Sequence, residues 1–300
     1  MSVDAKLESR RVVANGLSVH TWVGGTGPPV VLVHGFGVSS RYMLPLARSL
    51  AGSFTVFAPD LPGYGRSEKP PTPLGIAGLA SALEDCLDAL GLEQPAFAAN
   101  SLGCQVVTEL AVRNPERVGP LMLIGPTIDP KHRRARHQVL RGVRDAGREP
   151  LSLLALVARD DAVMGLRALL ATARSALADR IEDRLPAIEQ PTLVLRGEED
   201  PFVSEEWAEA VASLLPRAGL VVVPGEAHAV HYTRPELVAG LVRELLLEEF
   251  EQAPGELLRR LPHRHVAARE EDEPGTGQEP VPLFADARRQ QPIVLAPNEN

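Results

Sequence analysis

Six short apolar runs, each followed by a segment with helical periodicity, constrain the fold of this sequence more than any other feature. Unbroken apolar runs of this length are typical of strands covered on both faces of a sheet. Strands that alternate with helices form parallel sheets with helices packed on both faces. The runs are Val30–Val33, Phe54–Ala58, Pro95–Ala99, Leu121–Ile124, Thr192–Leu195 and Leu220–Val223. The pattern predicts an α/β fold with a mostly parallel, doubly wound sheet.

The alternation breaks once along the chain. Residues 127–188 carry helical periodicity without a clear strand, and the sheet pattern resumes at Thr192. A helical insertion of this length is expected to cap the carboxyl ends of the strands, where open α/β sheets bind ligands. We therefore predict a core of residues 1–126 and 189–250 and a cap of residues 127–188. Repeated prolines and an acidic run predict a disordered tail over residues 251–300.

A single hydroxyl lies where the third run gives way to a helix, in Ala99-Asn100-Ser101-Leu102-Gly103. A strand that turns directly into a helix strains the backbone of the turn residue. Small residues two positions before and after it let strand and helix pass closely, as in the nucleophile-elbow pattern. The elbow would expose the Ser101 hydroxyl and aim the first helix amides at an oxygen bound beside it. An ordinary strand-to-helix turn is the alternative interpretation of this stretch.

Two polar loops later in the chain supply partners for that hydroxyl. A serine needs a base, and the base needs an orienting carboxylate. Asp200 and His228 each follow a predicted strand by a few residues, so both loops should open at the edge that carries Ser101. The order serine, aspartate, histidine is that of α/β-hydrolases.

These motifs together give the sequence a resemblance to the α/β-hydrolase superfamily, in the subgroup with a helical cap, over about residues 10–250. The resemblance implies a serine hydrolase with Ser101 as nucleophile, His228 as general base and Asp200 as orienting acid. It also implies an oxyanion hole formed by the amides of Phe36 and Leu102. The matching segments are His34-Gly35-Phe36-Gly37, Asp60-Leu61-Pro62-Gly63-Tyr64-Gly65-Arg66-Ser67, Asn100-Ser101-Leu102-Gly103, Gly197-Glu198-Glu199-Asp200-Pro201, Gly225-Glu226-Ala227-His228 and Arg234-Pro235-Glu236.

Each of these roles has a rival in the sequence. His34 and His231 compete with His228 for the base, although similar proteins use the first to shape the oxyanion loop. Glu198, Glu199 and, further away, Asp129 compete for the acid. His34 and Asn100 are expected to line the substrate site. Asp60 is expected to bind backbone amides of its own loop, and Cys104 is expected to be a packing residue.

The cap carries basic residues, of which Arg141, Arg144 and Arg148 form one helical stripe. We interpret them as a solvated face balanced by acidic residues elsewhere. The alternative is an arginine that binds a substrate carboxylate, as would suit relatives that cleave carbon–carbon bonds of dienol-keto acids. Serine rather than aspartate at position 101 argues against haloalkane dehalogenases and epoxide hydrolases. The predicted reaction is hydrolysis of a small or medium ester, lactone or keto acid. A cofactor-free haloperoxidase and a ligand receptor are the alternatives.

Composition bounds the remaining functions. The chain has 300 residues, a formal net charge of −8 and two cysteines. The negative charge argues against a nucleic-acid partner. No apolar run approaches the roughly 18 residues of a membrane span, and no secretion signal is evident, so we expect a cytoplasmic protein without a membrane partner. Histidine spacing and the glycine pattern indicate neither a metal nor a cofactor. The predicted partner is a small-molecule substrate; the oligomeric state is not indicated.

Overall fold

A computed structural model describes residues 6–14, 16–251 and 293–294 of the chain. Strands and helices alternate through most of it. The strands are β1 (Glu8–Ala14), β2 (Leu17–Gly24), β3 (Pro29–Val33), β4 (Thr55–Pro59), β5 (Ala96–Asn100), β6 (Leu121–Ile124), β7 (Thr192–Gly197), β8 (Ala218–Val223) and β9 (Ile293–Val294). The helices are α1 (Leu44–Leu50), α2 (Ile76–Leu90), α3 (Leu102–Arg113), α4 (Ala135–Ala146), α5 (Leu151–Met164), α6 (Leu166–Ala178), α7 (Ile181–Arg184), α8 (Glu205–Leu214), α9 (Val230–Thr233) and α10 (Pro235–Glu251).

The strands form one sheet in the order β1-β2-β4-β3-β5-β6-β7-β8-β9. The first two strands form a hairpin, β2 runs antiparallel to β4, and all other pairs are parallel. The predicted α/β class with a mostly parallel sheet is therefore confirmed. The disordered tail predicted over residues 251–300 lies outside the described residues, except for Glu251 and the two residues of β9.

Two hydrophobic layers explain why the strands are apolar without interruption. Along β3, Val31 and Val33 face a layer built on α2, α3 and α8. Val30 and Leu32 of the same strand face the opposite layer, built on α1 and α10. Both faces of the central strands are covered, so these strands carry apolar residues at successive positions instead of alternating polar and apolar ones.

The turn from β5 into α3 brings backbone very close to backbone. A Cβ at Gly103 would lie 2.6 Å from the carbonyl oxygen of Val33 on the neighbouring strand. Only glycine allows α3 to start against β3 in this way. Cys104 is buried in the same helix turn, and its thiol donates to the carbonyl of Ala99 at 3.2 Å. Burial raises the pKa of that thiol, so Cys104 is a packing residue, as predicted.

Four helices, α4 to α7, occupy the stretch between β6 and β7. This insertion is tied to the core by polar contacts near its C-terminal end: the side-chain amide of Gln105, on α3, donates to the carbonyl of Ala176 and to the carboxylate of Asp179, both at 3.0 Å. Among the described residues, no helix combines the length and the apolar character needed to cross a bilayer.

Candidate active site

Ser101 occupies the turn between β5 and α3 with backbone angles φ 55° and ψ −116°. Among the described residues it is the one non-glycine residue with a positive φ. A strained angle of this kind persists only where the surrounding structure holds it, and it is common at functional sites. The serine is half-buried, and its hydroxyl lies 3.4 Å from the Oγ1 atom of Thr127. Thr127, just beyond β6, is a contact that the sequence analysis missed.

His228 lies in the loop after β8, and its Nδ1 atom is 2.7 Å from Oδ2 of Asp200. The carboxylate comes from the loop after β7, and its Oδ1 atom accepts the amides of Phe202 and Val203 at 2.7 and 3.1 Å. The ring edge of His228 packs on Gly125. This glycine follows β6, and Ser101 follows β5, the neighbouring strand that pairs with β6. The loops that carry the three predicted residues therefore lie at one edge of the sheet, where His228 contacts Asp200. In this arrangement Ser101 contacts Thr127, and Nε2 of His228 has no hydrogen-bond partner among the described residues.

The rival histidine does not face the site. His231 is fully buried, and neither of its ring nitrogens has a partner in the described part of the chain. Its ring packs edge-on against Tyr42, with centroids 4.3 Å apart. Burial, reinforced by the nearby His228, lowers the pKa of His231 to about 3, so it stays neutral.

The rival acids also have other partners. Glu198 accepts the amide of Gly225 at 3.0 Å, and Glu199 pairs with Arg148 at the surface at 3.0 Å. Asp129 is buried but faces a different histidine: His132 lies 2.8 Å from its carboxylate, and Ser204 donates to it at 3.1 Å. In this structure Asp200 is the carboxylate that meets His228.

Two residues that the sequence analysis assigned to substrate binding are buried instead. His34 is fully buried; its Nε2 accepts the amide of Leu61 at 3.0 Å and its Nδ1 donates to the carbonyl of Gly35 at 2.9 Å. Asn100 donates to the carbonyl of Ile124 at 3.2 Å and more weakly to that of His228 at 3.5 Å. Neither side chain is open to a ligand, which corrects the expectation. Both instead fix the backbone around the serine.

The loop after β3 lies directly over the serine. A Cβ at Gly35 would be 3.2 Å from the Cβ of Ser101, so this loop and the elbow are in contact. The amides of Phe36 and Leu102 donate to no other group in the described part of the chain. Phe36 is exposed over 38% of its surface, although it is a large apolar residue. The predicted oxyanion pair therefore has free donors on either side of the serine.

Helix α5 of the insertion contacts this same loop. Asp160 is buried, and its carboxylate accepts the amide of Ser39 at 2.8 Å. A Cβ built on Gly37 would lie 2.7 Å from Oδ1 of the neighbouring Asp161. The carboxyl of Asp161 therefore packs against the loop that follows β3. Burial, together with the charge of Asp160, raises the pKa of Asp161. The sequence analysis identified neither aspartate.

The connection between α4 and α5 contacts the loop that carries His228. Glu149 is buried and accepts the amide of Ala229, next to His228, at 2.9 Å. Burial and the charge of Asp145 raise the pKa of Glu149 to about 7. Burial alone would lower the pKa of His228, but the charges of Asp200, Asp145 and Glu149 more than offset it and raise that pKa to about 9. Sequence patterns gave no signal for these contacts, because they join segments about 80 residues apart.

The basic stripe of α4 does not bind at the serine. Arg141 donates to the carbonyl of Phe202 at 2.7 Å, Arg148 pairs with Glu199, and Arg144 is exposed. Among the described residues, no three His, Cys, Asp or Glu side chains come together as a metal site. A cavity of about 340 Å³ opens between the loop of residues 62–74 and the α5–α6 junction. Its lining includes Tyr64 and Thr172 but none of Ser101, Asp200 and His228, so it is separate from them.

Comparison with known proteins agrees with this geometry. A model of the alpha/beta hydrolase family matches residues 30–241. A haloperoxidase-like protein of Mycobacterium phage D29 is 30% identical over 272 residues, covering 80% of this chain and 95% of the phage protein. A 2-hydroxymuconate semialdehyde hydrolase of Pseudomonas putida is 30% identical over 270 residues, covering 80% and 94% of the two chains.

Solved structures show the same architecture. A thermophilic esterase from Thermogutta terrifontis is similar with a TM-score of 0.66 at 26% identity, covering 80% of this chain and 98% of the esterase. The matched family model covers most of the chain, including both ends of the helical insertion. The chain therefore belongs to the α/β hydrolase family.

Proposed function

We propose that this protein is a serine hydrolase that cleaves a neutral carboxylic ester or lactone through an acyl-enzyme on Ser101. The observation that carries the proposal is the 2.7 Å contact between His228 and Asp200 at the sheet edge where Ser101 has its strained turn. A buried carboxylate holding Nδ1 leaves Nε2 as the basic atom of the ring. In this proposal the helical insertion, residues 127–188, acts as the cap of the site.

The first chemical step forms a bond between Ser101 Oγ and the substrate carbonyl carbon. The hydroxyl leaves Thr127 and gives its proton to Nε2 of His228, while Asp200 stabilises the resulting imidazolium. The carbonyl oxygen becomes an anion, which the amides of Phe36 and Leu102 stabilise; each such donor contributes about 3 kcal/mol to lowering the barrier. The alkoxide then leaves with the proton from His228.

The second step releases the acid. Neutral His228 takes a proton from a water molecule, the hydroxide attacks the acyl carbon, and the bond to Ser101 breaks as Oγ regains the proton. Atoms and charge balance with one water consumed, and no redox partner is needed. Ser101 is only half-buried, which is consistent with access of water to the acyl group.

The charge around the site supports a neutral substrate over a keto acid. The ionisable groups that the insertion places against the two loops are carboxyls: Asp145, Glu149, Asp160 and Asp161. A substrate carboxylate near these groups would be repelled. The arginines that could have bound it, Arg141 and Arg148, are bonded to the loop of residues 199–202.

The decisive experiment combines labelling with a substrate panel. A fluorophosphonate probe should modify Ser101 in folded wild-type protein and leave Ser101→Ala unlabelled. Hydrolysis of p-nitrophenyl esters and of lactones should fall by at least about 10³-fold in Ser101→Ala. Ser152→Ala, an exposed serine in α5, is the matched control and should behave as wild type. Folded wild type that neither takes the label nor hydrolyses any member of the panel would contradict the proposal.

Carbon–carbon hydrolysis is a second candidate, because the Pseudomonas putida relative is a 2-hydroxymuconate semialdehyde hydrolase. The same substrate panel distinguishes this activity from ester hydrolysis. If the protein turned over ring-fission keto acids faster than neutral esters, carbon–carbon hydrolysis would replace ester hydrolysis as the proposed function. The phage relative suggests peracid formation, which acetate-dependent halogenation would reveal. Thermal stabilisation by a ligand without turnover, equal in wild type and Ser101→Ala, would instead identify a receptor.

A further inference from the structure

Helix α4 presents its apolar side chains to solvent. Val139, Leu140 and Val143 are 68%, 53% and 68% exposed, and no residue of the helix is buried. These three positions lie within about 100° of one another on the helix, on the side opposite Asp145. A helix packed on a core normally shows the reverse arrangement. The apolar face of α4 therefore has no partner among the described residues.

The next two helices also carry exposed apolar residues. Leu151 begins α5 and is 83% exposed, while Leu166 and Leu170, one turn apart on α6, are 70% and 50% exposed. Six large apolar side chains on three consecutive helices are thus at least 50% exposed to solvent. An exposed apolar group of this size usually marks a binding surface. We use the name outer face for these six residues together with the six exposed arginines that are named in the next paragraph.

The same three helices and their connections are rich in arginine. Residues 134–178, all of them described, contain eight arginines and four acids. Two of the arginines, Arg141 and Arg148, are bonded to the loop of residues 199–202. The other six are exposed, and none of them pairs with an acid in the described part of the chain: Arg134, Arg136, Arg144, Arg159, Arg167 and Arg174.

The four acids of the same stretch face inward. Glu149 and Asp160 are buried against backbone amides of the core, and Asp161 rests on Gly37. Asp145 lies beside His228, where it contributes to raising the pKa of that ring. The sequence predicts that the basic stripe is a solvated face balanced by acidic residues elsewhere, and Arg148 does pair with Glu199 outside the insertion. Within residues 134–178 the four acids face inward, whereas six arginines are exposed and pair with no acid among the described residues.

We propose that the outer face binds an anionic lipid surface. Exposed valines and leucines would enter the boundary between head groups and acyl chains, and the arginines would meet lipid phosphates, as in interfacial amphipathic helices. The formal charge of the whole chain is −8, so an anionic surface would attract the outer face and repel the rest. A second copy of the chain is a poor occupant, because two outer faces would bring unpaired arginines together.

This binding mode gives the insertion a role in orientation. The segment that carries the outer face also touches the loop after β3 through Asp160 of α5, and the loop of His228 through Glu149 in the connection between α4 and α5. A molecule docked by the outer face would therefore present the side of the sheet that carries Ser101 to the lipid. The proposal concerns adsorption and does not depend on the proposed hydrolase activity. It replaces the expectation from sequence that no membrane partner exists, which rested on spanning segments alone.

Flotation of the full-length protein with lipid vesicles tests the proposal. Vesicles of phosphatidylglycerol and phosphatidylcholine in equal parts should carry the protein in about 50 mM salt, and vesicles of phosphatidylcholine alone should carry much less. Raising the salt to 500 mM should weaken binding to the anionic vesicles. The variants Arg136→Gln/Arg144→Gln and Val139→Ser/Val143→Ser should each lower the partition coefficient about tenfold or more.

Matched controls keep a loss of folding apart from a loss of binding. Arg48→Gln and Val13→Ser change an exposed arginine and an exposed valine elsewhere and should bind as wild type. All variants should keep the wild-type melting temperature. Equal binding to both vesicle types, no binding to either, or unchanged binding by both outer-face variants would overturn the proposal. So would a dimer, seen by sedimentation without vesicles, that the Val139→Ser/Val143→Ser variant abolishes.

Discussion

The imidazole of His228 is subject to opposing effects. Burial disfavours its charged form, whereas three carboxyls, from Asp200, Asp145 and Glu149, favour it and raise its pKa to about 9. A general base works only when it is unprotonated. Two of these carboxyls come from the insertion, so the insertion influences the pH at which the base becomes available.

Activity is therefore expected to rise with pH. For a neutral ester, kcat/KM should increase up to about pH 9, because only the neutral imidazole accepts the serine proton. Glu149→Gln removes one negative charge that stabilises the imidazolium, so the midpoint should move to lower pH by about half a unit to one unit. Glu93→Gln, an exposed glutamate elsewhere, should leave the midpoint unchanged. Coincident pH profiles for wild type and Glu149→Gln would contradict this account.

Gly125 sets how closely the histidine can lie to the strand ends. It has a φ of 56°, and a Cβ there would be 2.8 Å from Cε1 of His228 and 3.2 Å from Oδ2 of Asp200. Gly125→Ala should lower kcat about 10-fold to 100-fold by displacing the ring. Gly91→Ala is the matched control, since Gly91 has a φ of 68° but nothing within 4 Å of a Cβ.

Both alanine variants should lose about 1 kcal/mol of unfolding free energy through the left-handed backbone. Only Gly125→Ala should lose kcat, measured on an aryl ester alongside urea unfolding. Equal kcat in the two variants would show that contact with the histidine does not matter.

At the scale of elements, one carboxylate joins three segments of the core. Asp60, at the end of β4, is buried and accepts the amide and hydroxyl of Ser40 and the amide of Arg66, and it contacts Nδ1 of His20. Burial alone would raise its pKa, but these hydrogen bonds outweigh burial and lower it. The expected role of Asp60 in binding backbone amides is confirmed.

Asp60→Asn should lower the free energy of unfolding by about 2–4 kcal/mol, because the NH₂ group of asparagine would face N–H or O–H donors that now bind the carboxylate. The wild-type contribution should be present above the unfolded pKa near 4 and be lost as the pH falls through the lower folded pKa. Asp88→Asn removes an exposed carboxylate that pairs with Arg117 and should change stability by less than about 0.5 kcal/mol. Urea titrations at pH 3 and pH 7 measure both effects, and equal losses in the two variants would refute the role of Asp60.

The elements differ in how well sequence predicts them. The central strands could be predicted because burial on both faces demands unbroken apolar runs, and the elbow could be predicted because Gly103 must lack a Cβ. The surroundings of the site could not be predicted in the same way. His34 and Asn100 look like site residues by position, yet backbone contacts bury them. The apolar residues of α4 have the same helical periodicity whether they face the core or the solvent. Their exposure to solvent is therefore visible only in the three-dimensional structure.

For the whole molecule, acidic contacts attach the insertion to the two loops around Ser101. Asp160 accepts a hydrogen bond from the amide of Ser39, in the loop after β3, and Glu149 accepts one from the amide of Ala229, beside His228. Burial of Glu149, together with the charge of Asp145 four residues earlier, disfavours ionisation of Glu149 in the folded state. The attachment of the insertion therefore depends on pH.

The sign of that dependence follows from the raised pKa of Glu149, about 7 in the folded protein against 4.5 in a free side chain. The folded state binds this proton more tightly, so stability is greatest below pH 4.5 and falls as the pH rises to 7. Glu149→Gln should remove a decline on the order of 2 kcal/mol between pH 5 and pH 8. His228, whose pKa is also raised, adds a further decline between about pH 6.5 and pH 9, which Glu149→Gln makes smaller; the difference between the urea midpoints below pH 6.5 therefore reports on Glu149 itself. Parallel stability curves for wild type and Glu149→Gln would mean that this carboxyl ionises as freely in the folded protein as in the unfolded chain.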